Sequence, residues 1–250
     1  MTDMSTMDQQ AYSPPPAGRI GKLFEEVPET YERTNHVLTL GLDVIWRRKA
    51  VRHALGGECL RTLDVCTGTG DMAFCLRRFG RPDMSISAVD FCEPMLQVAM
   101  RKPGSAGIRF LKAVADNLPF PDESFDLVTL SFAARNLNTD RDSFLKCLRE
   151  FRRVIRPGGR FVCVETSQPR SRFLRRCFHA YIGLIVRPVG RWLSGSDHAY
   201  RYLAHTIPRF HDPDEFCEVL RTAGFAEASF VRMTFGIAAV HTAVVSSLSA

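Results

Sequence analysis

The chain has 250 residues, 45% of them hydrophobic and 24% charged, with a formal net charge of +6. That size and balance fit one globular domain with a full core, and they exclude a low-complexity chain or a bundle of crossing helices, because no run approaches the ~20 apolar residues a span requires. Eight cysteines without a C-x-x-C pair and seven histidines without H-E-x-x-H or an i,i+4 pair give no metal-ligand spacing, so no metal is expected.

In chain order, residues 1–16 are polar and end in Pro14-Pro15-Pro16. They lack the apolar core of a signal peptide and the Arg-rich amphipathic pattern of a transit peptide. Residues 1–20 therefore read as a disordered leader, 21–250 as the domain, and the protein as cytoplasmic. Residues 23–55 are expected to be helical, broken at Gly41. Short apolar runs then alternate with helix-length connections. Strands are predicted at 62–66, 84–90, 108–114, 125–132 and 161–165, with helices from 71, over 93–100 and over 141–155. Pro157-Gly158-Gly159 is expected to stop the last of these. A helix over 213–223, stopped by Gly224, precedes two closing strands, 227–234 and 236–245, joined by a tight turn. The alternation predicts an α/β, Rossmann-like, mostly parallel seven-stranded sheet with helices on both faces. Residues 168–210 interrupt it and are expected to form a helical cap.

The cap is unusual in charge. Arg170, Arg172, Arg175, Arg176, Arg187 and Arg191 occur with no acid among them, interleaved with Phe173, Phe178, Tyr181 and Trp192. Such a segment is either a surface for an anionic membrane or a lid with solvated arginines.

The strongest local signal is Leu63-Asp64-Val65-Cys66-Thr67-Gly68-Thr69-Gly70-Asp71, an apolar strand running into a Gly-x-Gly turn and a helix. Glycines there let the backbone approach a ligand, and the helix start offers free N–H groups. Ala73 at the third fingerprint position leaves a dinucleotide open, and the turn by itself is compatible with a purely structural role. The second strand ends on Asp90, an acid suited to accepting both hydroxyls of a ribose or to capping the next helix. The ends of strands three (Val114, Ala115, Asp116) and four (Ser131 to Asn136) are expected to line the same crevice.

These residues resemble class I S-adenosylmethionine-dependent methyltransferases and, more closely, the ubiquinone/menaquinone biosynthesis C-methyltransferase family. Arg153-Val154-Ile155-Arg156-Pro157-Gly158-Gly159 followed by Val164-Glu165-Thr166-Ser167 is similar to that family's second signature. Tyr31, Asn35 and Trp46 match its first, and further matches are Leu118-Pro119-Phe120, Arg135-Asn136, Tyr200-Arg201-Tyr202-Leu203 and Met233 to Ile237 with His241. Departures are Glu32, Thr34, Thr39 and Asp43, where the family usually shows Asp, Met, Ser and His, and Val114, where such enzymes carry Asp or Asn on the adenine.

The resemblance implies S-adenosylmethionine as cofactor, with Gly68, Thr69, Gly70, Asp90, Val114, Ala115, Asp116 and Ser131 around it. It implies methyl transfer to a ring carbon of a prenylated quinol, with Arg135 and Asn136 hydrogen-bonding the quinol oxygens as catalytic residues. Tyr31 and Trp46 close over the cofactor or are core, and Phe132 and Tyr181 are candidates to flank the ring. A homodimer and peripheral contact with the inner membrane surface are left open. Nucleic acid is not the expected partner. Ser131-Phe132-Ala133-Ala134 stands where amino-methylating DNA enzymes need Asp/Asn-Pro-Pro-aromatic, and no Pro-Cys supplies an RNA cytosine nucleophile. Another small-molecule acceptor, or a non-catalytic binding relative, are the competing readings.

Overall fold

The computed structural model describes residues 28–55 and 60–247, so the expected leader lies outside the described residues. Seven strands form one sheet in the order β3-β2-β1-β4-β5-β7-β6. They are β1 (Arg61–Val65), β2 (Ser85–Asp90), β3 (Ile108–Lys112), β4 (Phe125–Ser131), β5 (Ile155–Thr166), β6 (Glu227–Met233) and β7 (Ala238–Val244). The first five are parallel to one another, whereas β7 runs antiparallel between β5 and β6. The expected mostly parallel α/β sheet is the one observed. The central strands β1 and β4 are almost wholly buried because helices cover both faces, which is why they read as continuous apolar runs rather than alternating ones.

The helices are α1 (Pro28–Leu38), α2 (Leu42–Ala54), α3 (Asp71–Phe79), α4 (Glu93–Arg101), α5 (Ala134–Leu137), α6 (Arg141–Val154), α7 (Arg172–Tyr181), α8 (Arg187–Ser194), α9 (Asp197–Thr206) and α10 (Pro213–Thr222). Their starts follow capping chemistry. Asp140 accepts from Ser143 N–H ahead of α6, and Asp212 with Glu215 forms a reciprocal capping box on α10. One core layer packs α6 and α10 on the sheet through Phe144, Phe151, Phe161 and Phe216, while the opposite layer packs α2 and α3 through Trp46, Ala50, Met72 and Leu76. A third cluster joins Leu38 of α1 to Phe178, Ile182, Val186, Tyr200 and Leu203 of the segment between β5 and α10. Gly190 is obligatory there, since a Cβ would come within 2.2 Å of the Tyr200 ring.

Two local expectations are corrected. Pro157-Gly158-Gly159 does not merely end α6, because β5 already starts at Ile155 and the three residues form an irregularity inside it, with Phe125 paired to Ile155 but Leu127 to Arg160. Gly159 is required, as a Cβ would lie 2.6 Å from Ile155 and 2.9 Å from the Asp126 carbonyl. The third strand ends at Lys112, and Val114 instead bridges to Asn117 in a tight antiparallel turn.

Candidate active site

The chain reverses its winding direction between β1 and β4, and a crevice opens at the carboxyl ends of such strands. Asp64, fully buried in β1, pins the crevice floor: its two oxygens accept from Thr67 Oγ1 at 2.6 Å and Thr129 Oγ1 of β4 at 2.7 Å. Burial pushes its carboxyl up to about 7 against the pull of those hydroxyls. The chain then turns through Cys66, Gly68 and Gly70, all at positive φ (53°, 55° and 87°). A Cβ on Gly70 would meet the Phe74 ring at 2.7 Å, whereas one on Gly68 meets no protein atom within 4 Å. Gly70 is thus needed for packing, and Gly68 keeps the crevice side of the turn open.

Asp90 is 6% exposed. Its Oδ2 accepts from Gly68 N–H and its Oδ1 from Cys92 N–H, both at 2.8 Å. Burial raises this carboxyl above its usual range and the backbone donors from Cys92 and Gly68 hold it down.

Two cavities meet in this crevice. One, of about 430 Å³, is lined by Gly68, Thr69, Asp90, Val114, Ala115, Asp116, Ser131 and Asn136 among others. Of the expected cofactor residues, only Gly70 does not line it. The other, of about 370 Å³, presents mostly apolar surface, from Leu38, Trp46, Phe178, Ile182, Leu203 and Ile237 among others, and polar groups including Asn35, Asp43, Arg47 and Arg135 also line it. Tyr31, Arg47 and Phe132 line both cavities. The expected catalytic pair is therefore divided, Arg135 facing the apolar cavity and Asn136 the polar one.

Arg135 is 7% exposed, and its Nη1 donates to Glu165 Oε1 at 2.5 Å and to the Phe132 carbonyl at 2.9 Å. Glu165 is fully buried and also accepts from Thr166 N–H at 2.8 Å. The Arg135 Nε–H is buried with no partner among the described residues. Burial is the largest single influence and works against the charge, but Glu165 together with Tyr31 and Tyr202 more than offsets it and keeps the guanidinium protonated. Burial raises the Tyr31 hydroxyl, with the Arg135 cation pulling it down.

Sequence reasoning missed several groups. Arg47 reaches Asp43 at 2.6 Å, Ser131 at 3.2 Å and Asp71 at 3.5 Å, with its guanidinium 5.1 Å from the Phe132 ring centroid. It ties α2 to the glycine turn and to β4 at the junction of the cavities. Two of the signature departures act together here, since Asp43 also accepts from Thr39 at 2.8 Å and from His36 at 2.6 Å. Lys102 binds the Thr69 carbonyl at 2.9 Å and Asp71 at 3.0 Å and pairs with Glu32 of α1. Trp46 is core, its indole donating to Thr234 Oγ1 at 2.8 Å. Asp116 pairs with Lys146 at 2.8 Å. The one available signal for Arg47 was its place beside Trp46; nothing local marked Lys102.

The polar cavity fits an adenosyl cofactor. It holds a carboxylate at the end of β2, an open glycine turn, and Asn136 Oδ1, which is buried without a partner among the described residues. A doubly wound sheet of this order, with that cavity beside an apolar one, defines a class I methyltransferase. A family model for the ubiE/COQ5 methyltransferase family matches residues 14–245. The chain belongs to that family, and it is an S-adenosylmethionine-dependent methyltransferase. It is 38% identical to a demethylmenaquinone methyltransferase of Thermus thermophilus, covering 88% of this chain and 98% of that protein. It is also 38% identical to a ubiquinone/menaquinone biosynthesis C-methyltransferase of Geobacter sulfurreducens, covering 90% and 87%. Its fold is similar to that of a S-adenosylmethionine-dependent methyltransferase from Thermotoga maritima, with a TM-score of 0.65 at 22% identity over 90% of this chain and 99% of that one.

Proposed function

We propose that this protein transfers the methyl group of S-adenosylmethionine to a ring carbon of a prenylated quinol, a reading supported by relatives named as demethylmenaquinone methyltransferases and as a ubiquinone/menaquinone biosynthesis C-methyltransferase. The observation that carries the reading is the meeting of a polar cavity and an apolar cavity at Tyr31, Arg47 and Phe132. When bound, the cofactor supplies an electrophilic methyl on a sulfonium sulfur. Asp90 would hold the ribose hydroxyls and the open Gly68–Thr69 turn would admit the amino-acid end. Val114 offers no side-chain hydrogen bond to adenine, so that contact falls to the backbone at Ala115 and to Asp116.

The acceptor ring carbon needs electron density, and deprotonation of its neighbouring hydroxyl provides it. Arg135 is held charged by Glu165 and has an Nε–H to give, so it stabilises the quinolate oxygen. It does not act as the base, because a guanidinium paired with a carboxylate does not release its proton. The apolar walls exclude water and hold the ring against the methyl, lowering the entropic part of the barrier. A prenyl tail is insoluble, and no helix among the described residues is long and apolar enough to cross a membrane. The protein therefore meets its substrate peripherally, at the inner membrane surface. Turnover with labelled S-adenosylmethionine over a panel of demethylated naphthoquinols and benzoquinols tests the reading, and quinone profiling of a deletion strain names the acceptor. Absence of transfer to every quinol in the panel would overturn it.

A further inference from the structure

The segment between β5 and α9 contains one long helical rod, α7 running through a π-helical turn (Ile182–Val186) into α8, with helical backbone angles across both junctions. Along it Phe173, Cys177, Ala180, Leu184, Pro188 and Trp192 are all exposed and recur every three or four residues. Three of them are large and bare: Phe173 at 73%, Leu184 at 73% and Trp192 at 82% exposure. In an uninterrupted α-helix, 3.6 residues per turn would rotate Trp192 about 100° away from Phe173. The wider π turn lowers the rotation per residue in the middle of the rod and cancels most of that drift. The wide turn thus keeps six apolar or small residues on one line.

One position before members of this row stand Arg172, Arg176 and Arg191, all exposed and without an ion pair among the described residues. No acidic residue occurs between Glu165 and Asp197. On the row's other flank, Leu174 and Tyr181 line the apolar cavity. Across that cavity's edge stand Leu40 and Phe235, 84% and 83% exposed, each fixed at a positive φ that a non-glycine residue rarely adopts. An apolar row therefore lies between a cationic row and the rim of an apolar cavity.

We propose that this face docks on an anionic bilayer, with Phe173, Leu184 and Trp192 entering the acyl boundary and Arg172, Arg176 and Arg191 pairing with lipid phosphates. The charge pattern selects this occupant: a flanking row of unpaired cations complements anionic headgroups, whereas two copies of the face would set like charges together. The docking deepens the quinol reading above and rests on it for one purpose only. At about 370 Å³ the cavity is at the small end of ligand pockets, so a quinol ring fills it and a long tail must leave past Leu40, Leu174 and Phe235 into an apolar medium. That medium is the leaflet on which the rod lies.

The test is co-sedimentation of the full chain with vesicles of phosphatidylcholine alone or mixed with phosphatidylglycerol. Wild type should bind the mixed vesicles and release with salt. Its emission should shift to the blue, because Trp46 is already buried and Trp192 is the exposed indole. Phe173→Ser/Leu184→Ser/Trp192→Ser and, separately, Arg172→Gln/Arg176→Gln/Arg191→Gln should each lower partitioning by about tenfold or more. Both should keep wild-type methyl transfer to a short-chain, water-soluble quinol and lose it in proportion for a long-chain quinol held in vesicles. Vesicle binding equal to wild type in both variants, or no blue shift, overturns the proposal. So does a wild-type dimer that the apolar triple variant splits without any change in vesicle binding, since the face would then join two copies. If wild type binds vesicles as described yet methylates no quinol, long or short, the docking stands and the acceptor reading fails.

Discussion

Replacing Asp90 separates its two possible duties. Its oxygens accept from Gly68 N–H and Cys92 N–H at 2.8 Å in a site 6% exposed, so the carboxylate already buckles the glycine turn to the start of α4. Asp90→Ala leaves the Cys92 N–H buried without an acceptor, a cost of about 1–3 kcal/mol in stability. If the same carboxylate also holds the ribose, the variant loses a charged hydrogen bond to the cofactor worth roughly 1.5–3 kcal/mol, or about 10–100-fold in affinity. Asp90→Asn keeps one acceptor but turns an N–H donor toward another N–H, so it should lose stability comparably while retaining more affinity than Ala. Urea unfolding without ligand measures the first effect, and calorimetric titration with S-adenosylmethionine, well below the unfolding transition, measures the second. A folded Asp90→Ala variant that binds S-adenosylmethionine with wild-type affinity would refute the ribose contact and leave Asp90 as a turn clamp only.

Arg135→Ala should lower turnover far more than it changes cofactor affinity, and it leaves Glu165 as an unpaired buried charge, costing about 3–5 kcal/mol in stability. Arg135→Lys should restore stability better than turnover, because an ammonium reaching Glu165 has no Nε–H fork for the quinolate; equal recovery of both would remove the charge-stabilising role. Gly70→Ala should destabilise the fold more than Gly68→Ala, since both residues have positive φ but only Gly70 has a ring 2.7 Å from the added carbon; equal urea midpoints would contradict this. Two buried groups give opposing pH slopes. Asp64, raised to about 7 from an ordinary 3.8, binds its proton more tightly when folded, so its contribution is full below about pH 4 and is lost as pH rises toward 7. His241, lowered by burial to about 3 from 6.5, contributes fully above about pH 6.5 and loses that as pH falls. Unfolding free energies of Asp64→Asn and His241→Gln between pH 4 and 7.5 should therefore diverge from wild type in opposite senses, and parallel curves would show that neither group titrates as described.

The fold was legible because its signals are local. Apolar runs such as Val128 to Leu130, glycines at Gly68 and Gly70, and an acid closing β2 each arise from interactions within a few residues, so strands, turns and sheet class follow from spacing. The insertion of β7 between β5 and β6, and the passage of β5 through Pro157-Gly158-Gly159, depend on which edges remain for pairing after the sheet assembles. The convergence of Gly68, Thr69, Asp90, Ala115 and Ser131 on one cavity was legible for the same reason, since each sits at or just after its own strand end. The groups that reach the site from elsewhere were not legible. Arg47 lies on α2 and Lys102 just past the end of α4, where their charges look solvated in sequence, and only packing brings Arg47 to Asp71 and Ser131 and Lys102 to the Thr69 carbonyl. Arg135 and Asn136 are adjacent in sequence, yet the turn of α5 sends one to each cavity. Strand ends are fixed by backbone hydrogen bonding, but the direction in which a helical side chain points is settled by what packs against it, and that is decided only when the layers close.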